Sequence, residues 1–452
     1  MTKHFQYSKL PGSDSRWLGL NHLQAIRPDA LRFIATLKQL HPDLAHIRVL
    51  NENIVHVFHP DLVREILVEQ AEKLHRWEKI TRIFSTSMGE SVLVTHGAQW
   101  QRQRRMLQPG FTPKRVDGFA RLMVTATTEA LNNLNQAEPI DVDELMTDMT
   151  LDVILRTLFS HHDLHDARRI GQSNQYLSSY GFEQTFTLFS WPMWMPLPKV
   201  QRARQARNAL HRLVKRQIQN HGTLAHADDL LSLLQQVRDP ENPTKGLNQQ
   251  EVFDQIMALF QAGHETTATA MSWWCGLMAH HPHVAQKVQS EIDSVLQGNA
   301  PTPEQIRRLP WLNASLKEAL RLYPAAALLF SRRALQDIHA GPWTIPKGHL
   351  ISISPYVIHR DERWFADPQA FKPERFLPNA PDIPRGSWLP FGTGPHVCIG
   401  QHFALLEMGI MAVMLLQRFS LEWPQGVAWP HYKLGLTLKA APAIKLNLVA
   451  RD

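Results

Sequence analysis

Near the C-terminal end, Phe391-Gly392-Thr393-Gly394-Pro395-His396-Val397-Cys398-Ile399-Gly400 holds one cysteine among glycines. Gly392 and Gly394 before it, and Gly400 two places after it, permit positive φ and a close approach of backbone to a flat object. From Gln401 to Phe419 the apolar residues Phe403, Leu406, Ile410 and Met414 recur at intervals of three and four, which predicts a helix starting just beyond Cys398. Unpaired N–H groups and the helix dipole at that end stabilise a thiolate. Axial ligation of a haem iron needs a thiolate with room above it for a macrocycle. A lone cysteine is more often an inert, buried small hydrophobe, but the glycine spacing favours the ligand.

Other chemistry-bearing residues lie far away in the chain. Glu265 and Thr266 place an acid beside an alcohol, a pairing that can relay protons, although Glu-Thr-Thr on a helix is more often incidental. Trp100 and Arg104 share a helix face, and a guanidinium fork suits carboxylates. Glu318 and Arg321 are three apart and can pair, as many surface residues do. Zinc is disfavoured: Cys275 and Cys398 are the two cysteines, and Ala268 stands where a zinc-protease helix would carry its second histidine after His264-Glu265. Two cysteines also give no disulfide framework.

The elements that must position these residues read as mainly helical with a small β region. Ile47–Leu50 and Ile54–Val57 form a hairpin around Asn51-Glu52-Asn53, followed by a helix from about Pro60. The stretch from Arg82 to Gly97 reads as loop-like, then a helix carries Trp100 and Arg104. Helices from about Ile140 to Gln219 are broken by Ser190-Trp191-Pro192-Met193-Trp194-Met195-Pro196, read as a lid or a membrane-surface contact against core packing as the bland alternative. Glu251–His280 is a long apolar helix interrupted by Ala262-Gly263-His264-Glu265-Thr266-Thr267, where glycine and paired threonines lower helix propensity. Loops are expected at 221–227 and 239–246 and a turn at 439–441. With 452 residues, 44% hydrophobic and 20% charged, the chain can bury a large core, and no linker or repeat divides it, so we read one domain over 1–452.

Phe-x-x-Gly-x-x-x-Cys-x-Gly resembles the haem-binding loop of the cytochromes P450, the haem-thiolate monooxygenases, and further motifs follow in the family's order over about 45–450. The resemblance implies haem b on Cys398 within a loop that includes Phe391, Gly392 and Gly400. It implies propionate contacts from Trp100, Arg104, Arg332 and His396. His396 replaces the arginine of many members and offers a single N–H whose charge depends on pH. It places the oxygen site at a widened helix turn at Ala262 and Gly263, with Thr266 as hydrogen-bond partner and Glu265 as proton relay. It joins Glu318, Arg321 and Arg375 in a buried structural network, and puts Ala326, Ala327, Leu328, Leu436 and Thr437 in the substrate pocket.

The activity implied is hydroxylation of a lipophilic molecule such as a fatty acid, alkane or terpenoid. Dioxygen and two electrons are required, drawn from NAD(P)H through a ferredoxin or flavodoxin with its reductase. A peroxide-driven peroxygenase, an isomerase, and a non-catalytic haem sensor or carrier are the alternatives. The net charge of +7 is dispersed and lacks nucleic-acid motifs, so nucleic acid is the weak option. Arg102, Arg104, Arg105, Lys114 and Arg115 concentrate it where an acidic electron donor would dock. No signal peptide or apolar run of ~18 residues is found, which suggests a cytoplasmic protein of bacterial type.

Overall fold

The structure, a computed structural model, describes residues 10–15, 19–134, 138–160, 167–187, 190–221 and 229–451. In chain order, the elements that carry the argument are strands β1 (Leu44–Val49), β2 (Glu52–Val57) and β3 (Leu74–Arg76), then helices α1 (Glu78–Met88), α2 (Gly97–Leu107), α3 (Val142–Phe159), α4 (Ala167–Thr185), α5 (Pro198–His221), α6 (Gln249–His280) and α7 (Pro310–Leu322). Strands β4 (Arg332–Ala334) and β5 (Leu350–Ile353), helix α8 (Gln401–Arg418) and strands β6 (His431–Leu434) and β7 (Leu438–Ala441) complete the set. Helices dominate and the sheets are small, as the sequence predicts. Backbone proximity groups the chain into two units, one of Met1–Ile80, Arg321–Ala370 and Pro381–Cys398, the other of Thr81–Leu320, Phe371–Ala380 and Ile399–Asp452.

The first unit is built on a five-stranded sheet in the order β1-β2-β5-β4-β3. Val55, Val57, Ile351 and Ile353 are buried on it, and their β-branched side chains suit a pleated surface. The β1–β2 hairpin turns at Leu50, whose φ is 55°. After β2 the helix expected at Pro60 forms, with proline in its first turn and His59 Nδ1 accepting from the Asp61 N–H. At the sheet edge β3 pairs antiparallel with β4, so that Arg76 lies directly opposite Arg332.

The second unit is centred on α6, a 32-residue helix. Its start is fixed by a capping box: Asn248 Oδ1 accepts from the Glu251 N–H (2.9 Å), and Glu251 Oε2 from the Asn248 N–H (2.8 Å). Trp273 and Trp274 are fully buried within it, and each indole N–H has a partner, the Leu438 carbonyl (2.6 Å) and Ser315 Oγ (2.9 Å).

Three readings of the sequence need correction. The segment after Arg82 is helical to Met88, because Ile80, Ile83, Phe84 and Met88 form a buried stripe that outweighs its serines and threonines. Residues 238–246 form a small hairpin rather than a loop. Residues 439–441 belong to strand β7, paired with β6, rather than to a turn. Trp191 and Trp194 are 44% and 72% exposed, which removes core packing, the bland alternative to the reading made of this stretch. Of the loop expected at 221–227, His221 ends α5 and the remainder lies outside the described residues. No helix among the described residues is long and apolar enough to cross a membrane.

Candidate functional site

The cysteine loop is closed by its own backbone. The Gly392 N–H donates to the Leu389 carbonyl (3.1 Å), Val397 to Gly394 (3.0 Å) and Cys398 to Phe391 (2.9 Å). Gly392 and Gly394 have φ of 72° and 74°, as expected, but for different reasons. A Cβ at Gly394 would sit 2.1 Å from the carbonyl oxygen of Leu67 in the helical turn Glu65–Glu69, so this glycine admits the backbone of the chain itself. At Gly392 nothing comes closer than 3.9 Å, which leaves that flank open. Gly400 has φ of −85° and serves as the N-cap of α8, its carbonyl accepting from the Ala404 N–H (2.8 Å). The Cys398 side chain is exposed, three residues before a helix end that no side chain caps.

In the same unit, Arg76 donates from Nη2 to His396 Nδ1 (3.0 Å), which fixes the neutral imidazole tautomer with its proton on Nε2. Arg76 is a site residue that the sequence does not reveal; its strand is too short to mark it. Arg332, across the strand pair, donates to the carbonyl of Phe330 (2.6 Å), and burial draws its guanidinium down to about 10. Like charges directly opposite on a sheet repel. Two guanidiniums so placed, beside an imidazole N–H and a thiol, fit a group that brings carboxylates and a thiolate-seeking metal. Iron protoporphyrin is such a group.

Behind the loop, Arg321 is fully buried and donates to the carbonyls of His359 (2.8 Å), Pro368 (2.7 Å) and Ala370 (3.0 Å), with its guanidinium over the Phe365 ring. His359, which sequence reading passed over, donates from Nδ1 to the Arg321 carbonyl and accepts from the Leu389 N–H on Nε2 (2.7 Å). Burial pushes His359 down to about 3, so it stays neutral and bridges Arg321 to the start of the cysteine loop. In the other unit Glu318 accepts from the Lys372 N–H (2.9 Å) and Arg375 Nε (3.3 Å).

Helix α6 passes through 262–267 without a break. Instead, Thr266 and Thr267 donate to the carbonyls of Ala262 (2.8 Å) and Gly263 (3.2 Å), and Thr150 of α3 to that of His264 (3.1 Å). Such back-bonding loosens a helical turn without opening it. A Cβ at Gly263 would lie 2.9 Å from Ile154 Cδ1, so close approach of α3 explains this glycine. Glu265 is buried; its Oε1 accepts from Thr437 Oγ1 (3.2 Å) and is 3.1 Å from Lys439 Nζ, while Oε2 has no hydrogen bond. On α8, Glu407 is 1% exposed, and burial pushes its carboxyl up to about 8 despite a hydrogen bond with Thr267.

Trp100 is buried and Arg104 half-buried on α2. Ala327 is buried with its carbonyl bound by Ser354 Oγ (2.9 Å), Leu328 packs on the core around Ile47 and Phe58, and Ala326 and Leu436 are half-buried. Within the basic cluster, Arg102 pairs with Glu251 (2.5 Å) and Arg105 with Asp239 (3.0 Å) and Glu241 (2.7 Å). These two arginines stitch α2 to neighbouring elements of its unit, which weakens the case for a docking face there.

The cytochrome P450 family model matches residues 10–448. Among similar proteins, cyclooctat-9-en-7-ol 5-monooxygenase of Streptomyces melanosporofaciens is 31% identical over 410 residues, 89% of this chain and 87% of that one. Cyclooctatin synthase of the same organism is 31% identical over 426 residues, covering 93% and 91%. A cytokinin hydroxylase of Arabidopsis thaliana is 33% identical over 360 residues, covering 74% and 67%. With a family match over nearly its whole length and a cysteine loop of this form, the chain belongs to the cytochrome P450 family of haem-thiolate monooxygenases.

Proposed function

We propose that this monooxygenase hydroxylates a lipophilic, terpenoid-like molecule, with Cys398 as the iron ligand. The observation that carries the site assignment is the exposed Cys398 thiol in a glycine-opened loop beside Arg76, Arg332 and His396. When bound, the haem supplies dioxygen activation, which electron donation from the thiolate favours. Arg332 and the Nε2–H of His396 would hold the propionates, with Arg76 orienting the imidazole, and Trp100 and Arg104 would add contacts to them. Arg321 and His359 keep the loop's backbone in place, while Glu318 and Arg375 stabilise the α7 region. Glu265 would carry protons inward from solvent, and Thr266 would present its hydroxyl as a hydrogen-bond donor beside Ala262 and Gly263.

Support for a terpenoid-like substrate comes from the two Streptomyces relatives, one of which is named for an unsaturated alcohol. Ala326, Ala327, Leu436 and Thr437 would line the pocket, and the exposed Trp191 and Trp194 would serve as a lid or a peripheral membrane contact. Electrons come from a ferredoxin or flavodoxin system. The test is the spectrum of the reduced, carbon monoxide-treated protein: the red-shifted Soret band of a thiolate ligand is expected in the native chain and absent in Cys398→Ser. A native spectrum of histidine-ligated type would overturn the assignment. Product formed with a reductase, ferredoxin and reduced nucleotide, rather than with peroxide alone, separates the monooxygenase from a peroxygenase.

A further inference from the structure

Three consecutive residues of the β6–β7 hairpin grip α6. Thr437 Oγ1 and Lys439 Nζ both reach Glu265 Oε1, and between them the Leu438 carbonyl accepts the Trp273 indole N–H two helical turns further along. Leu438 and Thr437 are buried, whereas the Lys439 side chain is 30% exposed. Lys439 thus joins a buried carboxylate to the solvent. The hairpin is also the part of the chain that carries Leu436. Other charged or titratable groups around the pair are His264 on α6 and Asp143 at the start of α3, both within electrostatic reach of Lys439.

Glu265 and Thr266 are sequence neighbours on an unbroken helix, and adjacent helical residues do not face each other. Both are held away from one another here: the Thr266 hydroxyl on the Ala262 carbonyl, the Glu265 carboxylate on the hairpin. The second oxygen of that carboxylate is buried and accepts no hydrogen bond from the described residues.

We propose that Lys439 and Thr437 are positioning residues that hold Glu265 in a solvent-connected resting place, from which it must detach to hand its proton towards Thr266. This rests on the reading of Glu265 as the proton relay. In each cycle the carboxyl gives up one proton inward and takes one back from water at the Lys439 edge.

The test uses the holoenzyme and the variants Lys439→Met, Lys439→Arg, Thr437→Val and Glu265→Gln. Three quantities are measured: product formed per reduced nucleotide consumed, the solvent deuterium isotope effect on turnover, and thermal unfolding of Lys439→Met, Glu265→Gln and their double variant. A misplaced relay lowers product yield per nucleotide by about tenfold or more in Lys439→Met, with an altered isotope effect and an unchanged KM. Lys439→Arg restores most of the loss, Thr437→Val gives a smaller one, and the two shifts in unfolding temperature are not additive. If Glu265→Gln keeps native yield and isotope effect, the proton-relay reading itself fails. If Glu265→Gln loses both while Lys439→Met and Thr437→Val keep them, or if the unfolding shifts simply add, the relay stands and the positioning role is overturned.

Discussion

Glu407 has no cation to neutralise it, only a threonine hydroxyl, and burial lifts its carboxyl from the ordinary value of 4.5 to about 8. A group with a raised folded pKa contributes its stability in full below the unfolded pKa and loses it as pH rises through the folded one. Glu407→Gln, which mimics the protonated acid, should therefore match the native chain near pH 4 and become the more stable of the two by pH 9. Urea unfolding across that range reads the difference, and parallel stability curves would contradict it. Arg321 presents the opposite case, a buried cation that donates to three carbonyls. Arg321→Met leaves these buried acceptors without their donor, with an expected loss of about 1–3 kcal/mol or more by denaturant unfolding and weaker haem retention during gel filtration. Little of this was legible beforehand. Arg321 was marked by its three-residue spacing from Glu318, but His359 and Arg76 are defined by partners 38 and 320 residues away, and no local pattern encodes such pairings.

Among the elements, α6 and α8 were readable because their apolar periodicity and their ends are local properties. The Asn248–Glu251 capping box is of the same kind. The loop reading after Arg82 failed because serine and threonine suggested a turn while the buried stripe of Ile80, Ile83, Phe84 and Met88 decided the outcome. Gly263, expected at the oxygen site, also lies where a Cβ would meet Ile154 of α3. Replacing it gives a graded result. Gly263→Ala meets the flexible end of that isoleucine and should be mild, whereas Gly263→Val overfills the helix contact and should lower stability by about 1–3 kcal/mol in thermal or denaturant unfolding. Equal tolerance of both would show that α3 has room to spare. The contact of Glu265 with Thr437 and Lys439 spans more than 170 residues, and could be found only in three dimensions.

At the scale of the molecule, the net charge of +7 suggested an acidic electron donor, yet part of the cluster offered for docking is engaged within its own unit. Buried histidines give a clearer global prediction. His359 and His56 are held down to about 3 and about 4 by burial, against 6.5 when unfolded. A histidine with a depressed folded pKa stabilises the fold fully above the unfolded value, and this is lost as pH falls towards the folded one. Unfolding free energy should thus decline from about pH 6.5 downward, and His359→Gln should flatten the decline; an unchanged slope would argue against it.

Arg76 and Arg332 face each other across the outermost strand pair of their sheet. A haem bound there would bring its carboxylates to this pair of guanidiniums, so the cofactor would be a counter-ion as well as a reagent. By mass action, haem bound to the folded chain would add to its stability, so the haem supply would bear on how much of the newly made chain persists in its finished form.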